Sequence, residues 1–187
     1  MDYLINKGLH MFIGPMFSGK TTQLLKTYNL LSLYIDKNKI LLINHSSDNR
    51  YGKSQIISHD GKQCPCYSLN NLNEIYNMID ENVLNNIEYV LIDEGQFFTD
   101  LYDIVLKLLK KNKNIYIAGL DGDFQQKPFI TSRLLDLIPF AITVKKYYSK
   151  CYICKEPACL TKRLTNSKDV IFVGGKDDYQ PACIKHA

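Results

Sequence analysis

The residues with the clearest chemical meaning form one run near the N-terminus: Gly14, Pro15, Met16, Phe17, Ser18, Gly19, Lys20 and Thr21. This run matches the P-loop pattern G-x-x-x-x-G-K-[ST] in full. In such a loop the backbone N–H groups surround phosphate oxygens, and the N-terminus of the following helix favours negative charge. We therefore predict that Lys20 reaches the β- and γ-phosphates of a nucleotide and that the Thr21 hydroxyl binds Mg²⁺.

Two acidic residues directly follow the apolar run from Tyr89 to Ile92. A P-loop protein needs a carboxylate at the tip of a neighbouring strand, and Asp93 is predicted to hold the Mg²⁺ there through water. Glu94 is then free to act as a base on an attacking hydroxyl or water. The pattern does not by itself select one P-loop class. The absence of a guanine-recognition motif and of a helicase series, together with the short chain, favours phosphoryl transfer to a small acceptor.

Four residues near the C-terminus have the spacing of a metal site: Cys151 and Cys154 form C-x-x-C, and Cys183 and His186 form C-x-x-H. Three thiolates and one imidazole suit a tetrahedral structural zinc, which leaves no open position for chemistry. A redox C-x-x-C would normally open a helix, which the residues between Cys151 and Cys154 do not favour. The other three cysteines are predicted to be ordinary thiols: Cys64, Cys66 and Cys159.

Short apolar runs alternate with amphipathic segments over the first two-thirds of the chain. The predicted strands are Leu9 to Ile13, Ile40 to Ile43, Tyr89 to Ile92 and Ile115 to Ala118. The apolar spacing predicts a helix from Lys20 to about Ile35 and a weaker one from Leu72 to Ile79. It also predicts a helix that begins after Asp100, whose side chain is expected to cap the N-terminus. Continuous apolar strands separated by helices predict an α/β fold, with a P-loop NTPase-like parallel sheet flanked by helices.

The character of the sequence changes near Lys145. We predict a P-loop α/β nucleotide-binding domain over residues 1–144 and a small C-terminal domain, stapled by zinc, over residues 145–187. This second segment is too short to bury much of a core by itself, so a metal is the obvious means of stabilising it.

Composition excludes several classes of protein. The chain of 187 residues is 45% hydrophobic and 22% charged, which argues against disorder or a coiled coil. The apolar runs are too short to span a bilayer and the N-terminus is unlike a signal peptide, so we predict a cytoplasmic protein. The net charge of +4 comes mostly from lysine, without a basic and aromatic patch for nucleic acid. The three arginines, Arg50, Arg133 and Arg163, favour planar or bidentate roles.

Longer motifs then point to a family. The P-loop, Asp93-Glu94-Gly95-Gln96-Phe97-Phe98, Leu120-Asp121-Gly122-Asp123-Phe124-Gln125 and Lys127-Pro128-Phe129 occur in that order, followed by the two metal pairs. In this the sequence resembles the type II thymidine kinases from about Gly14 to His186. The resemblance implies an enzyme that uses ATP, Mg²⁺ and a structural Zn²⁺ to transfer a phosphoryl group to the 5′-hydroxyl of thymidine, for DNA precursor synthesis.

The resemblance also implies roles for particular residues. Glu94 matches the family's general base, and Asp48, Arg50 and Gln96 match positions on the ATP and phosphate side. The implied nucleoside pocket has aromatic walls, two polar side chains and a lid, contributed by Phe97, Phe124, Phe129, Thr161, Tyr179, Val170, Ile171, Phe172, Val173 and Gly174. Aromatic walls with a few fixed hydrogen bonds suit a flat, neutral thymine ring.

The family is usually a homotetramer inhibited by the end product dTTP, so the resemblance implies both properties here. The chain departs from the family pattern where Asn44-His45 replaces Lys-Tyr and Gln126 replaces Arg, and where extra residues precede Pro139. Two other hypotheses remain open: a deoxynucleoside kinase with another base preference, and a nucleotide-dependent module that binds nucleic acid through its zinc segment.

Overall fold

Six parallel strands form the central sheet of the computed structural model, which describes residues 7–47, 55–57, 63–165, 175 and 177–187. In chain order these strands are β1 (Leu9–Ile13), β2 (Ile40–His45), β5 (Tyr67–Leu69), β6 (Tyr89–Ile92), β7 (Asn114–Gly119) and β8 (Ala141–Lys146). Their order across the sheet is β5-β2-β6-β7-β1-β8, and a short antiparallel pair, β3 (Gln55–Ile57) and β4 (Gln63–Pro65), precedes β5. The predicted parallel sheet is confirmed.

Alternate side chains of the central strands belong to two separate cores. Leu9, Met11 and Ile13 of β1 contribute to one core, whereas Phe12 contributes to the other. Strand β7 follows the same rule, with Ile115 and Ile117 on one face and Tyr116 and Ala118 on the other. Because successive side chains of a strand point to opposite faces, a strand buried on both faces is a continuous apolar run.

Helices cover both faces, and their bounds differ in part from the expectation. They are α1 (Lys20–Leu31), α2 (Ile75–Met78), α3 (Glu81–Asn86) and α4 (Leu101–Lys110), with 3₁₀ helices at Lys37–Lys39, Leu72–Glu74, Gly95–Phe97 and Leu134–Phe140. The predicted extension of α1 to Ile35 is wrong, because the chain turns after Leu31, although Ile35 still packs on the core. Within the described ranges, no helix is long and apolar enough to cross a bilayer.

Asp80 and Asp100 explain two further differences. The single helix expected from Leu72 to Ile79 is broken, because Ile79 is extended and the Asp80 carboxylate accepts the N–H of Asn82 to begin α3. Asp100 precedes α4 as predicted, but its carboxylate does not cap that helix. It accepts instead the backbone N–H groups of Leu72, at 3.0 Å, and Asn73, at 2.8 Å.

The C-terminal region after Lys146 (residues 147–187) is called here the zinc lobe after its predicted metal, and its described part contains two small antiparallel ribbons. One joins β9 (Ser149–Lys150) to β10 (Pro157–Ala158), and the other joins β11 (Leu160–Arg163) to β12 (Tyr179–Ala182). The Tyr152 N–H donates to the Pro181 carbonyl at 3.0 Å and so connects the two ribbons.

Candidate active site

The phosphate loop lies between the end of β1 and the start of α1, in a backbone conformation that the sequence makes accessible. Gly14 has φ of 148°, and a Cβ added there would lie only 2.4 Å from the Tyr147 carbonyl oxygen. No other residue fits this position without displacing the chain that follows β8. Phe17 also has positive φ, at 60°, which is costly for an aromatic residue and typical of a functional turn.

Lys20 folds back over this loop. Its side chain is 8% exposed, and Nζ donates to the Pro15 carbonyl at 2.6 Å and lies 3.4 Å from Ser18 Oγ. The Ser18 hydroxyl donates to the same carbonyl at 2.8 Å. The ammonium is therefore held inside the loop, beside the backbone N–H groups that would face phosphate oxygens.

Thr21 and Asp93 meet across the end of β7, which lies between β1 and β6 in the sheet. The Thr21 hydroxyl donates to Asp93 Oδ1 at 3.2 Å, and Asp93 is 2% exposed. A hydroxyl and a carboxylate are oxygen donors of the type that Mg²⁺ prefers next to nucleotide phosphates. The donor set therefore fits the predicted magnesium site.

Glu94 follows Asp93 in a left-handed conformation, with φ of 53°. Its Oε2 accepts Gln96 Nε2 at 2.6 Å, while Gln96 Oε1 accepts the Leu120 N–H at 2.8 Å. Gln96 is fully buried and crosses the end of β7, where a Cβ on Gly119 would lie 3.0 Å from Gln96 Oε1. The Gln96 amide thus fixes the position of the Glu94 carboxylate relative to the ends of β6 and β7. The sequence predicted a role for Gln96 near phosphates, and in the structure its side-chain amide bonds to Glu94 and to the Leu120 N–H.

Phe97 and Phe129 meet edge to face, with ring centroids 6.3 Å apart. His45, at the end of β2, packs against Phe97 at 5.6 Å and Phe98 at 4.7 Å. Phe98 is fully buried in the core, whereas Phe97 is partly exposed, so only Phe97 can offer a surface to a ligand. The two phenylalanines predicted as pocket walls are therefore neighbours at the carboxyl edge of the sheet, where open α/β sheets bind ligands.

The zinc lobe contacts the phosphate loop directly. Thr161, 4% exposed on β11, accepts the Met16 N–H on its hydroxyl oxygen at 3.0 Å. The Ser149 hydroxyl donates to the Phe17 carbonyl at 3.2 Å. Thr161 was predicted as a polar group of the nucleoside pocket, and its hydroxyl lies beside the loop expected to hold phosphate.

Arg163 joins two other predicted pocket residues. Its guanidinium lies 3.7 Å from the Phe124 ring centroid, and its Nη2 donates to the Tyr179 hydroxyl at 2.6 Å. Both a planar cation over an aromatic ring and a hydrogen bond from the same group are uses for which arginine is suited. Sequence reasoning did not place Arg163 in the site, although its rarity in a lysine-rich chain was a signal of such a role.

A cavity of about 500 Å³ opens beside the phosphate loop. It is lined by Phe17, Gly19, Thr22, Tyr152, Tyr179, Gln180 and Pro181. Gly19 and Thr22 belong to the loop and the first turn of α1, and the other lining side chains belong mostly to the zinc lobe. The cavity therefore combines an aromatic lining with access to the helix N-terminus, as a nucleotide site requires.

The four predicted zinc ligands come together. Ligand atoms of Cys151, Cys154, Cys183 and His186 all lie within 4.8 Å of one another. Cys154 Sγ lies 3.7 Å from Cys183 Sγ, and Cys183 Sγ lies 3.3 Å from His186 Nδ1. Around one tetrahedral zinc, two sulfurs lie about 3.8 Å apart and a sulfur and a nitrogen about 3.5 Å apart. The group therefore fits zinc, and a disulfide would need a far shorter contact, of about 2 Å.

The electrostatics of Cys151 also suit a metal ligand. The backbone N–H of Cys154, then that of Cys183, lower the pKa of the Cys151 thiol to about 5. A thiolate is the form that binds zinc. Cys64, Cys66 and Cys159 form no disulfide and lie outside the group, as predicted for ordinary thiols.

Some predicted residues fall outside the described ranges, so their positions relative to the site stay predictions. They are Asp48, Arg50, Val170, Ile171, Phe172, Val173 and Gly174.

Comparison with known proteins gives a consistent result. The family model for thymidine kinase matches residues 7–187. A thymidine kinase of Oryza sativa subsp. japonica is 36% identical over 179 residues, 95% of this chain and 65% of the rice protein. Thymidine kinase a of Arabidopsis thaliana is 36% identical over 179 residues, 95% of this chain and 74% of the plant protein. A thymidine kinase of Yaba monkey tumor virus (strain VR587) is 38% identical over 176 residues, 94% of this chain and 91% of the viral protein. The chain thus spans less than two thirds of the rice relative but nearly all of the viral one.

Proposed function

Because the chain belongs to the thymidine kinase family, we propose that it transfers the γ-phosphoryl group of ATP to the 5′-hydroxyl of thymidine, giving dTMP and ADP. The observation that carries the proposal is the contact of Thr21 with Asp93, one residue before Glu94. It brings a phosphate loop, a pair of oxygen donors for Mg²⁺ and the Glu94 carboxylate to one edge of the sheet. These are the parts that phosphoryl transfer to an alcohol requires.

Glu94 is the general base of this proposal. Its carboxylate takes the proton of the 5′-hydroxyl as that oxygen attacks the γ-phosphorus, and the bond to the β-phosphate oxygen breaks to release ADP. The Gln96 amide holds the carboxylate in place, next to a left-handed backbone at Glu94. Such a fixed base costs little reorganisation when the reaction occurs.

The donor nucleotide occupies the phosphate loop and the adjoining cavity. Backbone N–H groups of the loop and Lys20 Nζ stabilise the phosphate oxygens, and Thr21 and Asp93 would hold Mg²⁺. When bound, Mg²⁺ neutralises charge that develops on the phosphate oxygens. The cavity lined by Phe17, Tyr152 and Pro181 has room for the nucleoside part of ATP, whose flat base suits aromatic and proline surfaces. Asp48 and Arg50 complete the phosphate side by the family resemblance alone.

Thymidine binds in a pocket between the sheet edge and the zinc lobe. Phe97 and Phe129 form one wall, and Phe124, held under Arg163, forms another. Thr161 and Tyr179 supply polar atoms nearby, and residues Val170, Ile171, Phe172, Val173 and Gly174 act as a lid by resemblance. Zinc at Cys151, Cys154, Cys183 and His186 stabilises the lobe that carries β11 and β12.

The remaining properties rest on the family resemblance. We expect a two-domain organisation (1–144 and 145–187), a homotetramer, inhibition by dTTP and a cytoplasmic location. Sedimentation of the purified protein and inhibition by dTTP at fixed ATP test the assembly and the feedback.

The proposed reaction is tested with purified protein, ATP, Mg²⁺ and a panel of nucleosides, following ADP release in a coupled assay. Thymidine should be phosphorylated faster than deoxycytidine, deoxyadenosine or deoxyguanosine. The Glu94→Gln variant tests the general base, because it keeps the shape of the side chain and removes the proton acceptor. It should lower kcat by about 10² or more, the scale of general-base catalysis. If only another deoxynucleoside were phosphorylated, that nucleoside and not thymidine would be the acceptor. Salt-sensitive nucleic-acid binding without nucleoside turnover would reject the kinase proposal.

A further inference from the structure

His45 ends β2 at the carboxyl edge of the sheet and is 8% exposed. Its ring packs edge-on against Phe98, with centroids 4.7 Å apart, and against Phe97 at 5.6 Å. The Phe97 N–H donates to the Glu94 carbonyl at 3.0 Å. The imidazole therefore supports the short segment that carries both the proposed base and one wall of the nucleoside pocket.

Both ring nitrogens of His45 are used. The Ser47 N–H lies 3.1 Å from Nδ1, and Nε2 lies 3.1 Å from the Asn70 carbonyl oxygen. A backbone N–H can only donate, so Nδ1 must accept, and a carbonyl can only accept, so Nε2 must carry the proton. Of the forms that imidazole can take, only the neutral ring protonated at Nε2 satisfies both contacts.

The surroundings favour that neutral form. Burial lowers the pKa of His45 and outweighs the opposing effects of the Asn70 carbonyl and the carboxylates of Glu94, Glu74 and Asp100. A protonated ring would place an N–H donor at Nδ1 against the Ser47 N–H. The hydrogen bond from the Ser47 N–H to Nδ1 would then be lost, and with it one of the contacts that hold the ring at the end of β2.

We propose, on the basis of the function proposed above, that His45 is a positioning residue for phosphoryl transfer. In its neutral Nε2–H form the ring orients Phe97 and the segment after Glu94, and it loses this role when it is protonated. Of the aromatic side chains that could pack on Phe97 and Phe98 here, only histidine has a ring nitrogen that can accept from Ser47 and also titrates near neutrality.

The test compares kcat/KM for thymidine in the wild-type protein and in His45→Phe across the acid and neutral pH range. Phenylalanine keeps the aromatic packing and removes both ring hydrogen bonds. At about pH 8, where the imidazole is neutral, the wild-type value should exceed that of the variant by about tenfold, on the scale of one or two hydrogen bonds. As the pH falls the ratio should approach one, because protonation removes the same contact from the wild-type protein.

Phe98→Leu is the control, since it disturbs the packing of the imidazole without touching its hydrogen bonds. It should lower stability and leave its ratio to the wild type constant with pH. A ratio for His45→Phe that stays constant, or a Phe98→Leu ratio that changes in the same way, would overturn the proposal.

Nitrogen-15 NMR of the His45 ring in the wild-type protein without substrate provides a second measurement that needs no variant. It should identify Nε2 as the protonated nitrogen at neutral pH, and protonation at Nδ1 would overturn the proposal. If the wild-type protein phosphorylated no thymidine, the proposed function would fail, whereas the tautomer measurement would still decide the role of the ring contacts.

Discussion

Gln96→Leu is expected to separate catalysis from stability at the proposed base. Gln96 is fully buried, donates to Glu94 at 2.6 Å and accepts from the Leu120 N–H at 2.8 Å. Leucine has a similar size and makes neither bond. A hydrogen bond to a charged group contributes about 1.5–3 kcal/mol, so kcat should fall about 10- to 100-fold if the bond acts fully in the transition state.

Stability should change by a separate mechanism. The Leu120 N–H loses its acceptor in a buried position, which costs about 1–3 kcal/mol of unfolding free energy. Asn114→Leu is the matched control, because Asn114 is also a buried amide and lies at the end of β7 opposite to the end that Gln96 crosses. Its Oδ1 accepts the Gly8 N–H at 3.1 Å, far from the carboxyl edge.

The assay is steady-state turnover with ATP and thymidine, together with urea unfolding of both variants. We expect similar losses of unfolding free energy and a loss of kcat in Gln96→Leu alone. Gln96→Glu extends the series, because it keeps an acceptor for Leu120 and places a second carboxylate beside Glu94. Like charge raises a carboxyl pKa, so the acid limb of the pH–rate profile should move to higher pH. Equal kcat values in the two leucine variants would refute the orienting role of Gln96.

Two further predictions concern the metal sites. We expect about one zinc ion per chain, and Cys154→Ser should release it and weaken thymidine binding more than ATP binding. Metal analysis and titration calorimetry check this, and equal losses of both affinities would mean that zinc stabilises the whole fold. Asp93→Asn should raise the Mg²⁺ concentration needed for half-maximal turnover, and Lys20→Ala should lower kcat; a normal Mg²⁺ dependence together with normal turnover would contradict the phosphate-loop assignment.

The sequence was sufficient for the features that depend on local pattern. Nearly continuous apolar runs predicted the strands of a parallel sheet, because most positions of a strand buried on both faces are apolar. The P-loop glycines and the spacing of the cysteine pairs likewise specify their own local geometry. The four metal ligands, predicted from spacing alone, do lie within reach of one ion.

Features that depend on contacts between distant segments could not be read in the same way. Nothing near Asp100 indicates that its carboxylate accepts from Leu72 and Asn73. The stacking of Arg163 on Phe124 and the reach of Gln96 to Leu120 depend on which strand ends become neighbours. Strand order in the sheet decides such contacts, and a single sequence records residue types without that order.

The position of β1 in the sheet has a consequence for synthesis of the chain. Its two neighbours are β7 and β8, so Leu9 pairs with Ile115 on one side and with Ala141 on the other. Strand β1 therefore has no hydrogen-bonding partner in the sheet until β7 has been made, which takes several seconds or more at about 5–20 residues per second. The Met16 N–H gains its acceptor, the Thr161 hydroxyl, later still, because Thr161 follows β7 in the chain. Truncated chains should consequently expose an unpaired apolar strand and lack a finished phosphate loop, which makes them targets for chaperones and proteases before they can bind nucleotide.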